Sequence, residues 1–274
     1  MKPKQRSFLK WAGGKYRLVE DIAHRLPDRS CLVEPFVGAG SVFLNTEFER
    51  YILADINPDL INLFNVIKQD VNAYISDVKL LFDNSEANTP AFYYKCRKEF
   101  NLSDDIFRRA TLFLYLNRFG FNGLCRYNKK HQFNVPFGAY SQHYFPEKEL
   151  RYFAEKAQHA IFICSRFEDI FEYLLDKVED CVVYCDPPYA PILQESNFTQ
   201  YAGGGFSLEQ QRLLVYYAEQ AQNKNIPVLI SNHDTAFTRE IYKNAEITTF
   251  KVQRHIGQNP HSRVRVDELF AFFS

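Results

Sequence analysis

The run VVYCDPPY at residues 182–189 ends an apolar stretch in an acid, two prolines and an aromatic ring. In a protein of this size a chance match to DPPY arises about once in a thousand, which makes it the strongest signal in the chain. The prolines lack an N–H and fix φ, so the turn is stiff and its carbonyls face outward. The Asp186 carboxylate and the Pro187 carbonyl are then two acceptors held close together. An exocyclic amino group carries two N–H donors, and both can be satisfied at once. That orients the nitrogen lone pair and raises its electron density as charge leaves it. Tyr189 offers a ring face on which a base can stack. Asp186, Pro187, Pro188 and Tyr189 are therefore the candidate catalytic residues. A purely structural turn capped by an Asp would use the same residue types. It would not account for their place at a strand end, where parallel sheets hold their ligands.

Two further motifs suit a nucleoside. In EPFVGAGS, residues 34–41, Gly38 and Gly40 stand at a strand-to-helix turn. Glycine there lets the backbone approach a ligand closely, and a helix starting near Ser41 would add unpaired N–H groups. Asp55 closes the next strand and can accept hydrogen bonds from both hydroxyls of a ribose. Alone, this pattern leaves a dinucleotide dehydrogenase open, although the spacing is not GxGxxG. In FLKWAGGK, residues 8–15, the one Trp of the chain lies beside a Gly pair and between two Lys. An indole next to flexible backbone suits contact with a purine; it would equally anchor an N-terminal arm.

These groups need elements to hold them. Helical spacing of apolar residues covers 16–26, and short strands are predicted at 31–33 and 51–54. From 58 to 117 the pattern is helical throughout. Residues 118–146 lose that period, gain Gly, Asn, Pro and basic residues, and read as loops or a hairpin. Alternation then resumes: helix 147–157, strand 160–164, helix 167–174, strand 181–184, helix 207–223, strand 227–231, and strands near 247–252 and 265–272. Strands alternating with helices predict an α/β sheet with covered faces. The block 58–146 breaks the rhythm as a helical insertion. The expected division is a core of residues 1–57 and 147–274 around an inserted domain of residues 58–146.

Composition agrees with a globular chain: 274 residues, 46% hydrophobic and 24% charged. No apolar run approaches the roughly 18 residues of a membrane helix, and no secretory signal is expected. The six Cys form no CxxC pair, so neither zinc nor any other metal is expected, and free thiols suit a reducing cytoplasm. Net charge is +0, yet three windows carry Lys and Arg with no acid: residues 1–19 with six, 106–146 with six and 247–266 with four. Brought together they would make a basic face for phosphates.

FLKWAGGK, LVEPFVGAGSVFLN, YILADIN, FLYLNRFGFNGLCRYN, FNVPFG, VVYCDPPYAP, PVLISNHDT and VDEL, in this order, resemble the bacterial Dam-type DNA adenine-N6 methyltransferases of the D12 class, which recognise GATC. The resemblance runs from about residue 8 to 270. It implies a Rossmann-like, S-adenosylmethionine-dependent methyltransferase core with a helical target-recognition insertion and a β-hairpin. It implies transfer of methyl to a flipped adenine in double-stranded DNA. S-adenosylmethionine is expected at Trp11, Lys15, Asp55 and Asp186; the surrounding motifs add Ala12, Gly13, Glu34, Phe36, Gly38, Gly40 and Ser41. The family's specificity contacts fall on Lys10 for the first guanine, Leu124 and Pro136 for the thymine, and Arg126 for the last base pair. Asn122 falls where the family fills the gap left by the flipped base or meets the orphan thymine. Arg97, Arg118 and Asn128 match backbone-contacting positions, and Phe121 and Tyr140 are counted with the DNA contacts.

Three departures stand out. Phe121 replaces the family's usual Tyr. Ala139 and Ser141 stand where relatives typically carry Arg and Lys. Arg263 and Arg265 lie in a stretch, expected as a loop, that could compensate. DPPY also serves enzymes that methylate cytosine N4 or an RNA base, and a DNA-binding module without chemistry is the non-enzymatic alternative. The family implies a cytoplasmic, nucleoid-associated enzyme of replication and mismatch repair with no obligate protein partner; a phage or restriction-associated methylase fits the same residues.

Overall fold

The computed structural model describes residues 3–191, 206–255 and 263–274, with side chains described for all of these but 253–255 and 263–266. The chain forms α1 (Val19–Ala23), β1 (Cys31–Glu34), β2 (Arg50–Asp55), α2 (Pro58–Gln69), α3 (Val71–Phe82), α4 (Pro90–Leu102) and α5 (Ile106–Phe119). There follow α6 (Glu147–Ala157), β3 (Ala160–Cys164), α7 (Phe167–Lys177), β4 (Cys181–Cys185), α8 (Leu208–Gln222), β5 (Val228–His233), α9 (Ala236–Ile241), β6 (Glu246–His255) and β7 (Arg263–Phe273).

Among the described residues a seven-stranded sheet runs in the order β3-β2-β1-β4-β5-β7-β6. β1 pairs in parallel with β2 and β4, and β4 with β5, while β7 is antiparallel to both β5 and β6. Every residue of β1, β4 and β5 is buried, the continuous burial of parallel strands covered on both faces. Strand order reverses between β1 and β4, and α/β sheets hold ligands outside the carboxyl ends at such a reversal. This is the Rossmann-like α/β core predicted above.

The chain divides into two compact units, residues 1–23, 37–47 and 55–164, and residues 24–36, 48–54 and 165–274. In the first, α2 to α5 start where caps dictate. Asn57 accepts from Asp59 N and Leu60 N, Asp70 from Asn72 N and Ala73 N, Thr89 from Phe92 N, and Asp105 from Arg108 N. Each cap contributes about 1 kcal/mol. Phe8, Phe43, Phe64, Phe153 and Phe162 pack edge-to-face, tilted or stacked in its core. Residues 118–146 form a hairpin-like excursion closed by the antiparallel bridges Gly120↔Phe137 and Tyr127↔Phe133.

Three expectations are corrected. No helix follows Ser41: the chain makes one 3-10 turn, Phe43–Asn45. Asn45 Nδ2 donates to Ser41 O at 2.8 Å and Gln5 O at 2.9 Å, and the Thr46 hydroxyl donates to Val42 O at 3.0 Å. Side chains thus take the carbonyls a continuing helix would need. α1 is only five residues long, Val19–Ala23, and Pro27 keeps Leu26, three residues past its end, from helical angles. Arg263 belongs to β7 rather than a loop, as does Arg265, where the strand expected near 265–272 begins; their side chains lie outside the described residues.

Candidate active site

In the second unit the turn after β4 is held by the end of β5. Ser231 Oγ donates to Asp186 Oδ1 at 3.0 Å, and Tyr184 Oη lies 3.0 Å from the same Oγ. Complete burial pushes the Tyr184 phenol far up, so it stays protonated and available as a donor. Asn232 Oδ1 accepts Ala190 N at 3.0 Å, and His233 Nδ1 lies 2.7 Å from Ala190 O. Tyr189 Oη donates to Glu268 Oε2 at 3.2 Å, and its ring meets that of His233 edge-on, 4.8 Å between centroids. Glu268 faces His233 across the β5–β7 ladder. Pro187 is buried, Pro188 is exposed, and Asp186 and Tyr189 are half-buried. The sequence predicts the stiff turn with its acid and its ring; the groups of β5 and β7 that hold them are supplied by the fold. In the same unit Glu34 closes β1, buried, and Phe36 stacks on Phe167 and meets Phe206 edge-on.

In the first unit Trp11, Gly38 and Asp55 come together. A Cβ on Gly38 would lie 2.9 Å from Trp11 Nε1, and Gly38 has φ +47°. Only glycine permits both the left-handed turn and the indole against it. Asp55 Oδ2 accepts Gly38 N at 3.1 Å and Oδ1 accepts Asn57 N at 2.9 Å. Burial raises the Asp55 carboxyl, and the N–H groups of Asn57, Gly38 and Ile56 oppose that. An ionised carboxylate has about four lone-pair sites, so these backbone donors still leave capacity for a ribose hydroxyl. A flat ring on a glycine turn and an acid with acceptors to spare fit a purine nucleoside. Lys15 is buried and donates to Gly13 O at 2.9 Å. Ala12 and Gly13 are exposed in the turn before it; Gly40 is buried and Ser41 half-buried.

The expected DNA residues also lie in the first unit. Lys10, Asn122 and Tyr140 meet: the Lys10 ammonium stands 4.6 Å from the Tyr140 ring centre, and Tyr140 Oη donates to Asn122 Oδ1 at 3.0 Å while accepting Asn122 N at 2.7 Å. Asn122 has the left-handed φ of 53°. Burial and the neighbouring Arg118 lower the Lys10 pKa. Arg126 is exposed and held by Asn134, Nε to Oδ1 at 2.8 Å. Phe121 N donates to Pro136 O, and Leu124 is half-buried beside them. The other three are half-buried and engaged with the protein's own groups. Arg97 donates to Val135 O, Arg118 to Tyr144 O and more weakly to Phe8 O, and Asn128 caps its own turn by accepting Lys130 N and Gln132 N.

The charge windows prove narrower in space than in sequence. Arg108 pairs with Glu99 at 2.6 Å and Arg109 with buried Asp59 at 2.6 Å, so two cations of the central window are spent on acids outside it. Sequence reasoning missed Asn117, a buried amide that joins the FLKW arm to the 120–124 loop through Lys10 N, Lys10 O and Gly123 O. It also missed the Ser231–Asn232–His233 brace, although both lay inside quoted motifs; a run of polar residues at the end of an apolar strand was the available signal. All six Cys are free. Among the described residues no group of His, Cys, Asp and Glu could hold a metal, and no helix is long and apolar enough to cross a membrane.

Three relatives named "DNA adenine methylase" are similar along nearly the whole chain. That of Haemophilus influenzae is 62% identical over 274 residues, covering 99% of this chain and 95% of the relative. That of Vibrio cholerae is 57% identical over 272 residues, covering 99% and 97%. That of Escherichia coli K12 is 56% identical over 271 residues, covering 98% and 96%. Among solved structures, an rRNA methylase from Streptococcus thermophilus aligns with a TM-score of 0.37 at 8% identity over 95% of this chain and 97% of the other, too low a likeness to carry an argument. The family model for "D12 class N6 adenine-specific DNA methyltransferase" matches residues 11–256, and the chain belongs to that family.

Proposed function

We propose that this methyltransferase moves a methyl group from S-adenosylmethionine to N6 of the adenine in GATC, in double-stranded DNA, with the adenine flipped out of the helix. The observation that carries the reading is the turn Asp186–Tyr189 at the carboxyl end of β4, with its carboxylate oriented by Ser231 and its ring braced by Glu268 and His233. The amino nitrogen of adenine is a poor nucleophile because its lone pair is delocalised into the ring. The Asp186 carboxylate and the Pro187 carbonyl accept its two N–H groups. Those bonds strengthen as the nitrogen becomes positive, so they stabilise the transition state more than the ground state. Tyr189 receives the base on its ring. Holding the nitrogen in line with the methyl group removes most of the orientational barrier. The base must leave the stack because N6 lies inside it.

S-adenosylmethionine supplies an activated methyl group on a sulfonium. Trp11, Ala12, Gly13, Lys15, Gly38, Gly40, Ser41 and Asp55 are assigned to it, as are Glu34, Phe36 and Asp186. Asp55 takes the ribose hydroxyls, and the Trp11 indole bounds the purine. On the DNA, Lys10, Leu124, Arg126 and Pro136 read bases, Asn122 and Phe121 fill the gap left by the adenine, and Tyr140 orients Asn122. Arg97, Arg118 and Asn128 steady the backbone, and the inserted block 58–146 acts as the target-recognition domain. The proposed place of work is the bacterial cytoplasm, on the nucleoid, in replication and mismatch repair. Relatives named for DNA adenine methylation at 56–62% identity support the substrate. Labelled S-adenosylmethionine and duplexes differing only at GATC test the whole reading: label must enter the GATC duplex alone, and equal transfer to both rejects the site.

A further inference from the structure

We infer that Gln211 and Asn232 are positioning residues for Tyr189: together they lock the two peptide planes flanking it and so set the pose of the ring that receives the base. The inference rests on the role given to Tyr189 above. Both amides are fully buried, Gln211 on α8 and Asn232 on β5. Gln211 Nε2 donates to Pro188 O at 2.8 Å. Its Oε1 accepts Asn232 Nδ2 at 3.0 Å, and that same Nδ2 reaches Tyr242 Oη at 2.9 Å. Asn232 Oδ1 accepts Ala190 N at 3.0 Å and His233 N at 2.9 Å.

Pro188 O belongs to the peptide plane before Tyr189 and Ala190 N to the plane after it. Holding one fixes rotation about φ of Tyr189, and holding the other fixes ψ. The prolines set their own φ angles, but no ring constrains the residue that follows them. The two amides supply the missing constraint. Their orientation has no alternative, because a carbonyl can only accept and an N–H can only donate. Pro188 O therefore demands nitrogen from Gln211, whose oxygen demands nitrogen from Asn232, whose oxygen then meets Ala190 N. In a dry interior a flipped amide would leave polar groups without partners, so the chain of bonds has a single state. The amides touch the turn at the two planes that flank the ring. An apolar pair of the same volume would leave Pro188 O and Ala190 N without these bonds, and with them the two planes would lose their restraint.

The test is a double-mutant cycle on single-turnover methylation of a GATC duplex at saturating cofactor, with cofactor binding measured separately. Gln211→Met removes both polar ends at similar volume, and Gln211→Glu puts an acceptor against Pro188 O. Each should lower the methylation rate at least about tenfold by misplacing the ring, with cofactor affinity unchanged within about twofold. Tyr189→Ala should lower the rate as well. Adding Gln211→Met to Tyr189→Ala should then cost less than about twofold more, because no ring remains to be positioned. A duplex with 2-aminopurine in place of the target adenine adds a spectroscopic readout. Its fluorescence on binding should change in the Gln211 variants, since the extruded base meets a displaced ring. If Gln211→Met does not fold, the cycle is run with Gln211→Glu. Losses that multiply in the double variant, or a Gln211 variant with the wild-type rate, overturn the inference. A wild-type rate for Tyr189→Ala alone overturns the role of Tyr189 itself, and the inference with it.

Discussion

Asn117→Ala should both destabilise the protein and weaken its discrimination among DNA sites. Asn117 is almost completely buried in the last turn of α5. It accepts Lys10 N at 2.9 Å and donates to Lys10 O at 2.8 Å and Gly123 O at 3.0 Å. The Ala variant deletes all three bonds and leaves three backbone groups to find water. At about 0.5–1.5 kcal/mol net per bond the three sum to about 1.5–4.5 kcal/mol. In a chain of this length a loss near 3 kcal/mol lowers Tm by roughly 6–12 °C. Asn117→Asp should be worse, since it sets a buried carboxylate against two carbonyls. The same bonds hold the arm that places the Lys10 ammonium over Tyr140, so the methylation-rate ratio between GATC and a duplex altered at its first base should fall too. Urea unfolding and that ratio are the assays. A loss under about 1 kcal/mol, together with an unchanged ratio, would refute the claim that one amide ties the arm to the loop.

Asp186→Ala should reduce single-turnover methylation below a tenth of wild type while DNA affinity stays within a few-fold, because its carboxylate acts on the amino group; a smaller loss rejects the assignment. Asp55→Ala should weaken cofactor binding by about 10–150-fold, the range for hydrogen bonds to a charged group, and isothermal titration showing little change would count against a ribose contact. Arg126→Ala should relax discrimination at the outer base pair by about 1–3 kcal/mol; if the rate ratio between duplexes differing there stays put, Arg126 serves phosphate instead. Ala139→Arg with Ser141→Lys should steepen the slope of log affinity against log salt by up to about 2, equally on GATC and other duplexes. Ala139 already sits at φ +50° with a Cβ in place, so the longer side chain adds no backbone strain. Parallel salt lines for wild type and variant would instead favour compensation by Arg263 and Arg265.

What local pattern could reveal was legible early. The apolar run before Asp186, the prolines after it, the Gly turn at residues 38–40 and the acid closing β2 all depend on neighbours within one turn or strand. Periodicity likewise marked the helical block after Asn57 and the alternation that builds the sheet. The helix expected at Ser41 fails partly through local side-chain bonds and partly through a distant one. Asn45 turns aside to bond Gln5, forty residues upstream. Arg108 and Arg109 look free in their window, and lose that freedom to Glu99 and Asp59.

By itself, then, the sequence determined the class of sheet, the order of its elements and the residue types able to orient an amino group. Tertiary structure alone decided how those groups are held. Ser231, Asn232 and His233 lie some forty residues beyond the turn they brace, and Asn117 lies 107 residues from Lys10. A buried polar group must find its partner wherever the fold brings one, because leaving it without one costs more than the bond itself contributes. Spacing along the chain carries no record of that partner; only the packing of strand on strand and helix on loop selects it.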